Sequence, residues 1–240
     1  MITVTGVRKR FGAVTAVEEV SFSAPDGRVT GLVGPNGAGK TTVMRMITGV
    51  VRPDAGQVIV DGVEVAADPL RAARSLGVLP DGAGIYPRLT ARENIRYFGA
   101  LQGGSGATLE AHVQTLIDRL DLRGVADRRA AGFSQGERMK VCLARALVHD
   151  PRHVILDEPT NGLDVQTTRA VRALIRELRE EGRCVLFSSH VMQEVTALCD
   201  HIVVVARGRV VADGTAAELL ARTRAATLED AFVQLVGEEA

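Results

Sequence analysis

The stretch Gly34-Pro35-Asn36-Gly37-Ala38-Gly39-Lys40-Thr41-Thr42 fits the Gly-x-x-x-x-Gly-Lys-Ser/Thr spacing of a loop that cradles phosphate. Its glycines let backbone N–H groups turn inward without a Cβ in the way, and a helix starting at the end of the loop adds its partial positive charge. Lys40 supplies a point charge for the outer phosphates of a nucleotide, and Thr41 a hydroxyl for Mg²⁺. Lysine is scarce in this chain, with Lys9, Lys40 and Lys140 the three among 29 basic residues. Arginine is the default cation, so a lysine at position 40 marks a place where a compact ammonium fits and a broad guanidinium fork does not.

A second chemistry-bearing pair follows a mostly apolar run, for His153-Val154-Ile155-Leu156 leads straight into Asp157-Glu158. Adjacent carboxylates at the end of a buried parallel strand stand where open α/β sheets bind ligands. An Asp there holds the Mg²⁺ of a nucleotide, and the Glu beside it polarises the water that attacks the γ-phosphate. Ser134 and Glu137 have capping-box spacing, so Ser134 and Gly136 lie at a helix N-terminus whose donors and dipole suit another phosphate. Cys142, Cys184 and Cys199 are odd in number, widely spaced and set among apolar residues, which reads as reduced small hydrophobes and not as a metal or redox site.

These residues need elements to position them. Arg28 to Val33 reads as a short buried strand entering the phosphate loop, and Thr41 to Thr48 as a helix that stops at Gly49. Ahead of the loop, Ile2 to Val7, Val17 to Ala24 and Val29 to Val33 read as the strands of a small antiparallel β unit, with turns at Phe11-Gly12 and Pro25-Asp26-Gly27. Gln57 to Val60 and Ser75 to Leu79 are further strands. The pattern changes at Pro80-Asp81-Gly82-Ala83-Gly84. From there to about His149 the chain reads as helical, with capping boxes at Thr90/Glu93 and Ser134/Glu137 and one apolar face through Leu109, Val113, Leu116, Ile117 and Leu120. Strands at His153 to Leu156, Arg183 to Ser188 and His201 to Ala206 then alternate with helices at Val165 to Arg179 and Val191 to Leu198, the pattern of a parallel sheet with crossover helices. A last strand, Arg209 to Ala212, precedes short helices entered at Thr215/Glu218 and Thr227/Asp230.

Composition narrows the function classes. A chain of 240 residues that is 46% hydrophobic buries a sizeable core, and 29 basic against 29 acidic residues argue against a nucleic-acid or anionic-membrane partner. No apolar run approaches the roughly 18 residues of a membrane span, and the strand-like start lacks a signal-peptide layout, so a cytoplasmic location is expected.

Taken together, the chain resembles the ATP-binding subunits of ATP-binding-cassette (ABC) transporters over nearly its whole length. Phe133-Ser134-Gln135-Gly136-Glu137 resembles the signature that separates this family from other phosphate-loop proteins. The resemblance implies an α/β fold of the ABC type: a mainly parallel sheet core flanked by helices, with an N-terminal antiparallel β unit and an inserted α-helical lobe. It divides the chain into an ATP-binding core, residues 1–80 and 150–240, and a helical signature subdomain, residues 81–149. It also implies ATP and Mg²⁺ as ligands, with Glu158, His190, Lys40 and Asp81 catalytic. The nucleotide contacts would be Phe11, stacked on adenine, and Gly34 to Thr42. Ser134, Gly136, Glu137 and Asp164 would reach the nucleotide of a second subunit. Thr41, Asp81 and, through water, Asp157 would serve the metal.

The implied partners are a second copy or close paralogue and an integral membrane permease, with the chain peripheral at the inner face of the membrane. Asn161-Gly162-Leu163-Asp164 resembles the loop that links paired sites, and His190, after Phe187-Ser188-Ser189, the switch histidine that senses the γ-phosphate. Two departures stand out: Asp81 where the family usually carries glutamine, and Gln135 and Glu137 in place of the commoner Gly and Gln. Both variants, with the short terminal helix, are similar to bacterial exporters of the sodium-extruding NatA type and related drug-export groups. Competing readings are weaker. A GTPase lacks an Asn/Thr-Lys-x-Asp guanine reader here, and a non-transport ABC ATPase acting on ribosomes or DNA usually carries two cassettes or a long coiled-coil insertion.

Overall fold

Alternation of buried and exposed positions sets the N-terminal layer. In the computed structural model, which describes residues 1–82 and 84–237, β1 (Ile2–Phe11) and β2 (Val14–Ala24) pair antiparallel. They turn Ile2, Val4, Val7, Val17, Val20 and Phe22 inward. On the other side of β1, β4 (Ala55–Val60) runs antiparallel and carries the short β5 (Val63–Glu64).

The central strands are buried on both faces, as parallel strands covered by helices must be. β3 (Val29–Val33), β7 (His153–Asp157) and β8 (Cys184–Ser189) are buried at every position, and β9 (His201–Ala206) at all but its first. β3 lies between β8 and β9, and β8 pairs with β7 and β7 with β6 (Leu76–Leu79), all in parallel. β10 (Arg209–Gly214) runs antiparallel to β9 and meets β2 in parallel at Arg209 and Glu19. Among the described residues, ten strands thereby form one sheet in the order β5-β4-β1-β2-β10-β9-β3-β8-β7-β6.

Crossovers supply the helices. α1 (Lys40–Ile47) leaves the phosphate loop, and α2 (Pro69–Ala73) starts at an Asp68 cap with proline in its first turn. α3 (Ala91–Leu101), α4 (Gly106–Arg119) and α5 (Gln135–Leu147) fill the interval between β6 and β7. α6 (Val165–Glu180) joins β7 to β8, and α7 (Met192–Leu198) joins β8 to β9. α8 (Ala216–Thr223) and α9 (Leu228–Gly237) follow β10. Capping boxes close at Thr90/Glu93, Ser134/Glu137 and Thr215/Glu218, and Asp230 N donates to Thr227 Oγ1 at 3.1 Å. One apolar cluster joins α3, α4 and α5 to α6 and one face of the sheet. A second packs α1 and the N-terminal strands against the other face, and a third lies under α7 to α9.

The structure corrects the expected N-terminal unit in one respect. The third strand, β3, is not part of the antiparallel layer; its place beside β1 is taken by β4. The reason is solvation: a strand buried at every position has no polar face for the exposed edge of a half-solvated layer. β1 and β2 run further than their apolar patterns suggest, because pairing of Arg10 with Thr15 and Phe11 with Val14 carries the ladder to the hairpin tip. β5 and α2 are too short to leave a periodic signal. Ala83, inside the predicted turn, and 238–240, at the end of the predicted ATP-binding core, lie outside the described residues.

Candidate functional site

β3 delivers the phosphate loop to the carboxyl end of the parallel strands, and there a cleft of about 600 Å³ opens. Asn36, Gly37, Ala38, Gly39, Lys40, Thr41 and Thr42 line one wall; Glu158, Asn161, His190 and Asp81 line the other, and Val14, Thr15 and Ala16 of β2 close the rim. Gly39 forms the N-cap of α1 at φ 104°, a left-handed conformation that L side chains rarely adopt, and a Cβ there would stand 2.6 Å from the Ala16 carbonyl oxygen. α1 has no side-chain cap and no acidic residue in its first turn. α3, α5, α6 and α8 are capped by side chains, and α4 and α7, like α1, are not; of these uncapped ends, that of α1 opens on the cleft. The first amides of α1 are therefore left to an outside anion, which is how a phosphate chain fits this end of the helix.

Lys40 is buried, and its Nζ donates to the carbonyls of Gly34 at 2.6 Å and Pro35 at 3.2 Å. Burial pushes its pKa below the ordinary lysine range, while the nearby carboxylates of Glu158 and Asp157 pull the other way. Gly34 and Pro35 thus hold the ammonium through their carbonyls and do not line the cleft.

The adjacent acids part company at the end of β7. Asp157 is 6% exposed and accepts from Ser188 Oγ at 2.5 Å. Glu158 takes φ 51°, a strained value for a residue with a Cβ, and its N–H donates to the same Ser188 oxygen at 2.9 Å. This turn brings the Glu158 carboxylate into the cleft, where His190 Nδ1 lies 2.9 Å from its Oε2. Asp81, at the far end of β6, is exposed and lines the same space.

The signature residues stand elsewhere. Ser134 caps α5, its Oγ accepting from Glu137 N at 3.2 Å; Glu137 Oε2 accepts from Ser134 N at 2.8 Å and from Arg128 at 2.6 Å. Gly136 is buried against α6, with Thr167 Oγ1 2.6 Å from where a Cβ would be. Asp164 caps α6, accepting from Gln166 N and Thr167 N at 2.9 Å each and from Thr167 Oγ1 at 2.7 Å, and these bonds lower its pKa. Neither Ser134, Gly136, Glu137 nor Asp164 lines the cleft of its own chain. Phe11 also stands outside it, half exposed at the hairpin tip with Lys9 Nζ 5.6 Å from its ring centroid. That exposure rules out a core-packing role for Phe11.

Comparison with known proteins decides the family. A sequence family described as ABC transporter matches residues 17–161. The chain is 41% identical over 238 residues to the ABC transporter ATP-binding protein NatA of Bacillus subtilis, covering 97% of each protein. It belongs to the ABC transporter ATP-binding family. It is also 37% identical to the Nod factor export ATP-binding protein I of Ralstonia nicotianae over 92% of this chain and 68% of that one. A solved ATP-binding subunit of an ABC transporter superposes with a TM-score of 0.90 at 29% identity, covering 98% of this chain and 99% of that one.

As an ABC ATPase, the protein binds ATP with Mg²⁺ and hydrolyses it, and subunits of this family dimerise and work with a membrane permease. None of its helices is long and apolar enough to cross a membrane, among the described residues. Nothing in the sequence signals that Val14, Thr15 and Ala16 line the cleft, and it marks Asn161 and Ser188 only as neighbours of Asp164 and His190, without these contacts. The Ser188 signal was its register: it pairs with Asp157 across β7 and β8, which no linear pattern discloses.

Proposed function

We propose that this chain is the energy-coupling ATPase of an export transporter and that two such chains, or this chain and a close relative, close head to tail around ATP. One observation carries the reading. The phosphate loop, Glu158 and His190 meet in a single cleft, while Ser134 and Gly136 of the same chain face elsewhere. A second chain is the natural source of the missing donors.

In this reading the N–H groups of Gly37 to Thr42 and the Lys40 ammonium bind the β- and γ-phosphates, and Lys40 leaves its two carbonyl partners to do so. Thr41, Asp81 and, through water, Asp157 would hold Mg²⁺, which would supply charge neutralisation at the phosphate oxygens. Glu158 takes a proton from the attacking water. His190 keeps Nδ1 on Glu158 and offers Nε2 to a γ-phosphate oxygen, so the histidine reports whether that phosphate is present. Phe11 stacks on adenine, and Ser134, Gly136, Glu137 and Asp164 act on the partner's nucleotide. The core of residues 1–80 and 150–240 carries the phosphate loop, Glu158 and His190, while residues 81–149, which hold Asp81 and the signature, also transmit closure to the permease at the cytoplasmic face of the membrane.

Glu158→Gln tests the assignment. Steady-state ATP hydrolysis by the purified variant should fall at least about a hundredfold while ATP binding persists. Turnover near that of the unaltered chain would overturn it. Export is inferred from the similarity to a relative named for export, and sodium as cargo from the resemblance of the sequence to sodium-extruding exporters. The check is ATP-driven sodium uptake into everted vesicles holding the chain and its permease. Movement of a drug or a lipid-linked saccharide in its place would change the cargo, and tight, salt-dependent nucleic-acid binding would remove the transport reading altogether.

A further inference from the structure

Glu194 lies in the first turn of α7 and is 4% exposed, an environment in which a carboxylate is expected to be fully partnered. Its partners come from three separate segments. Thr160 Oγ1 donates to Glu194 Oε2 at 2.5 Å, Ser189 Oγ donates to the same oxygen at 3.2 Å, and Arg172 Nη2 of α6 pairs with Oε1 at 3.3 Å. Two of these segments carry the groups that meet in the cleft: Thr160 lies two residues beyond Glu158, and Ser189 immediately precedes His190.

The Ser189 hydroxyl has a second contact. It accepts from Val191 N at 3.0 Å, which folds the backbone tightly around His190. Its proton is therefore committed to Glu194, and the carboxylate fixes the direction of the hydroxyl that holds the turn. Ser188 makes a parallel arrangement one residue earlier, accepting from Glu158 N at 2.9 Å and donating to Asp157 at 2.5 Å. Two tethers thus connect the carboxylate loop to the end of β8. One is the direct bond through Ser188. The other passes through Glu194.

We propose that Glu194 is a positioning residue for hydrolysis: by gathering Thr160 and Ser189 onto one buried carboxylate anchored by Arg172, it sets the separation between Glu158 and His190. The inference rests on the assignment of Glu158 and His190 made above. Loss of the tether leaves the phosphate loop untouched, because Thr160, Ser189 and Glu194 do not line the cleft. The defect belongs in turnover and not in ATP affinity.

The test uses Thr160→Val, which keeps shape and removes the hydroxyl, Thr160→Ser, which restores the hydroxyl, and Ser189→Ala, each in the full chain. Glu158→Gln is run in parallel. Turnover is measured at protein concentrations where activity per chain no longer rises, and ATP affinity by equilibrium binding. Thr160→Val and Ser189→Ala should each lower kcat about tenfold or more with ATP Kd within about twofold, and Thr160→Ser should recover at least about half of the lost rate. The proposal fails if both variants keep kcat within about twofold, if the loss lies in Kd, or if Thr160→Ser is as impaired as Thr160→Val. Should Thr160→Val not fold, Ser189→Ala decides by the same criteria. An inactive Glu158→Gln beside fully active Thr160→Val and Ser189→Ala removes the positioning role alone, whereas an active Glu158→Gln removes the underlying assignment.

Discussion

Lys40 carries its charge in a confined place, with Nζ only 2.6 Å from the Gly34 carbonyl. A guanidinium needs more room and a planar arrangement of acceptors, so Lys40→Arg should weaken ATP binding about tenfold or more although the charge is kept. Titration with a fluorescent ATP analogue reads this directly, and unchanged affinity would remove the argument from shape. A different residue contributes to the pH dependence of stability. Burial lowers the His153 pKa from 6.5 to about 4. The folded state therefore favours the neutral ring, and the unfolded chain takes up a proton first as pH drops. His153's contribution is complete above pH 6.5 and is lost progressively as pH falls toward 4. Denaturant midpoints measured across that interval should fall, and His153→Leu should flatten the slope.

At the scale of elements, the helix starts were the most legible features, because a capping box is a local contract between residues three apart. Ser134/Glu137 closes as its spacing requires. The contact that matters next is not local. Gly136 in α5 leaves room for Thr167 in α6, whose hydroxyl also serves the Asp164 cap, so the signature helix and the loop after Glu158 share one tight joint. A methyl at 136 meets Thr167 Oγ1. Gly136→Ala should lower stability by about 1–3 kcal/mol, and adding Thr167→Ala should recover part of that loss in a double-mutant cycle read by chemical denaturation. Additive losses would show that the two helices are not coupled there.

For the whole molecule, the separation of Ser134 and Gly136 from the cleft of their own chain makes a complementation test decisive. Chains carrying Lys40→Ala and chains carrying Ser134→Arg should each be inactive alone. Mixed, they form pairs in which one composite site keeps both an intact phosphate loop and an intact signature, so part of the ATPase activity returns. Activity that fails to return on mixing, with dimer formation demonstrated, would remove the head-to-tail arrangement. Specific activity of the unaltered chain should also rise with protein concentration, as a dimer-dependent reaction requires.

What the sequence determined by itself was chemical type and local conformation. The phosphate loop, the Asp157-Glu158 pair, the capping boxes and the alternation of β8, α7 and β9 are written in residue spacing, because each depends on neighbours along the chain. Tertiary structure alone decided three things. It assigned β3 to the parallel core and β4 to the side of β1, since pairing depends on which faces are buried. It separated two adjacent acids into a buried hydrogen-bonded Asp157 and a cleft-facing Glu158, through a backbone turn held by Ser188 from another strand. It also gathered Thr160, Ser189 and Arg172 onto Glu194, where burial leaves a carboxylate no alternative to protein partners. Such long-range placements are set by packing and by the need to satisfy buried polar groups, and neither leaves a pattern in a single stretch of sequence.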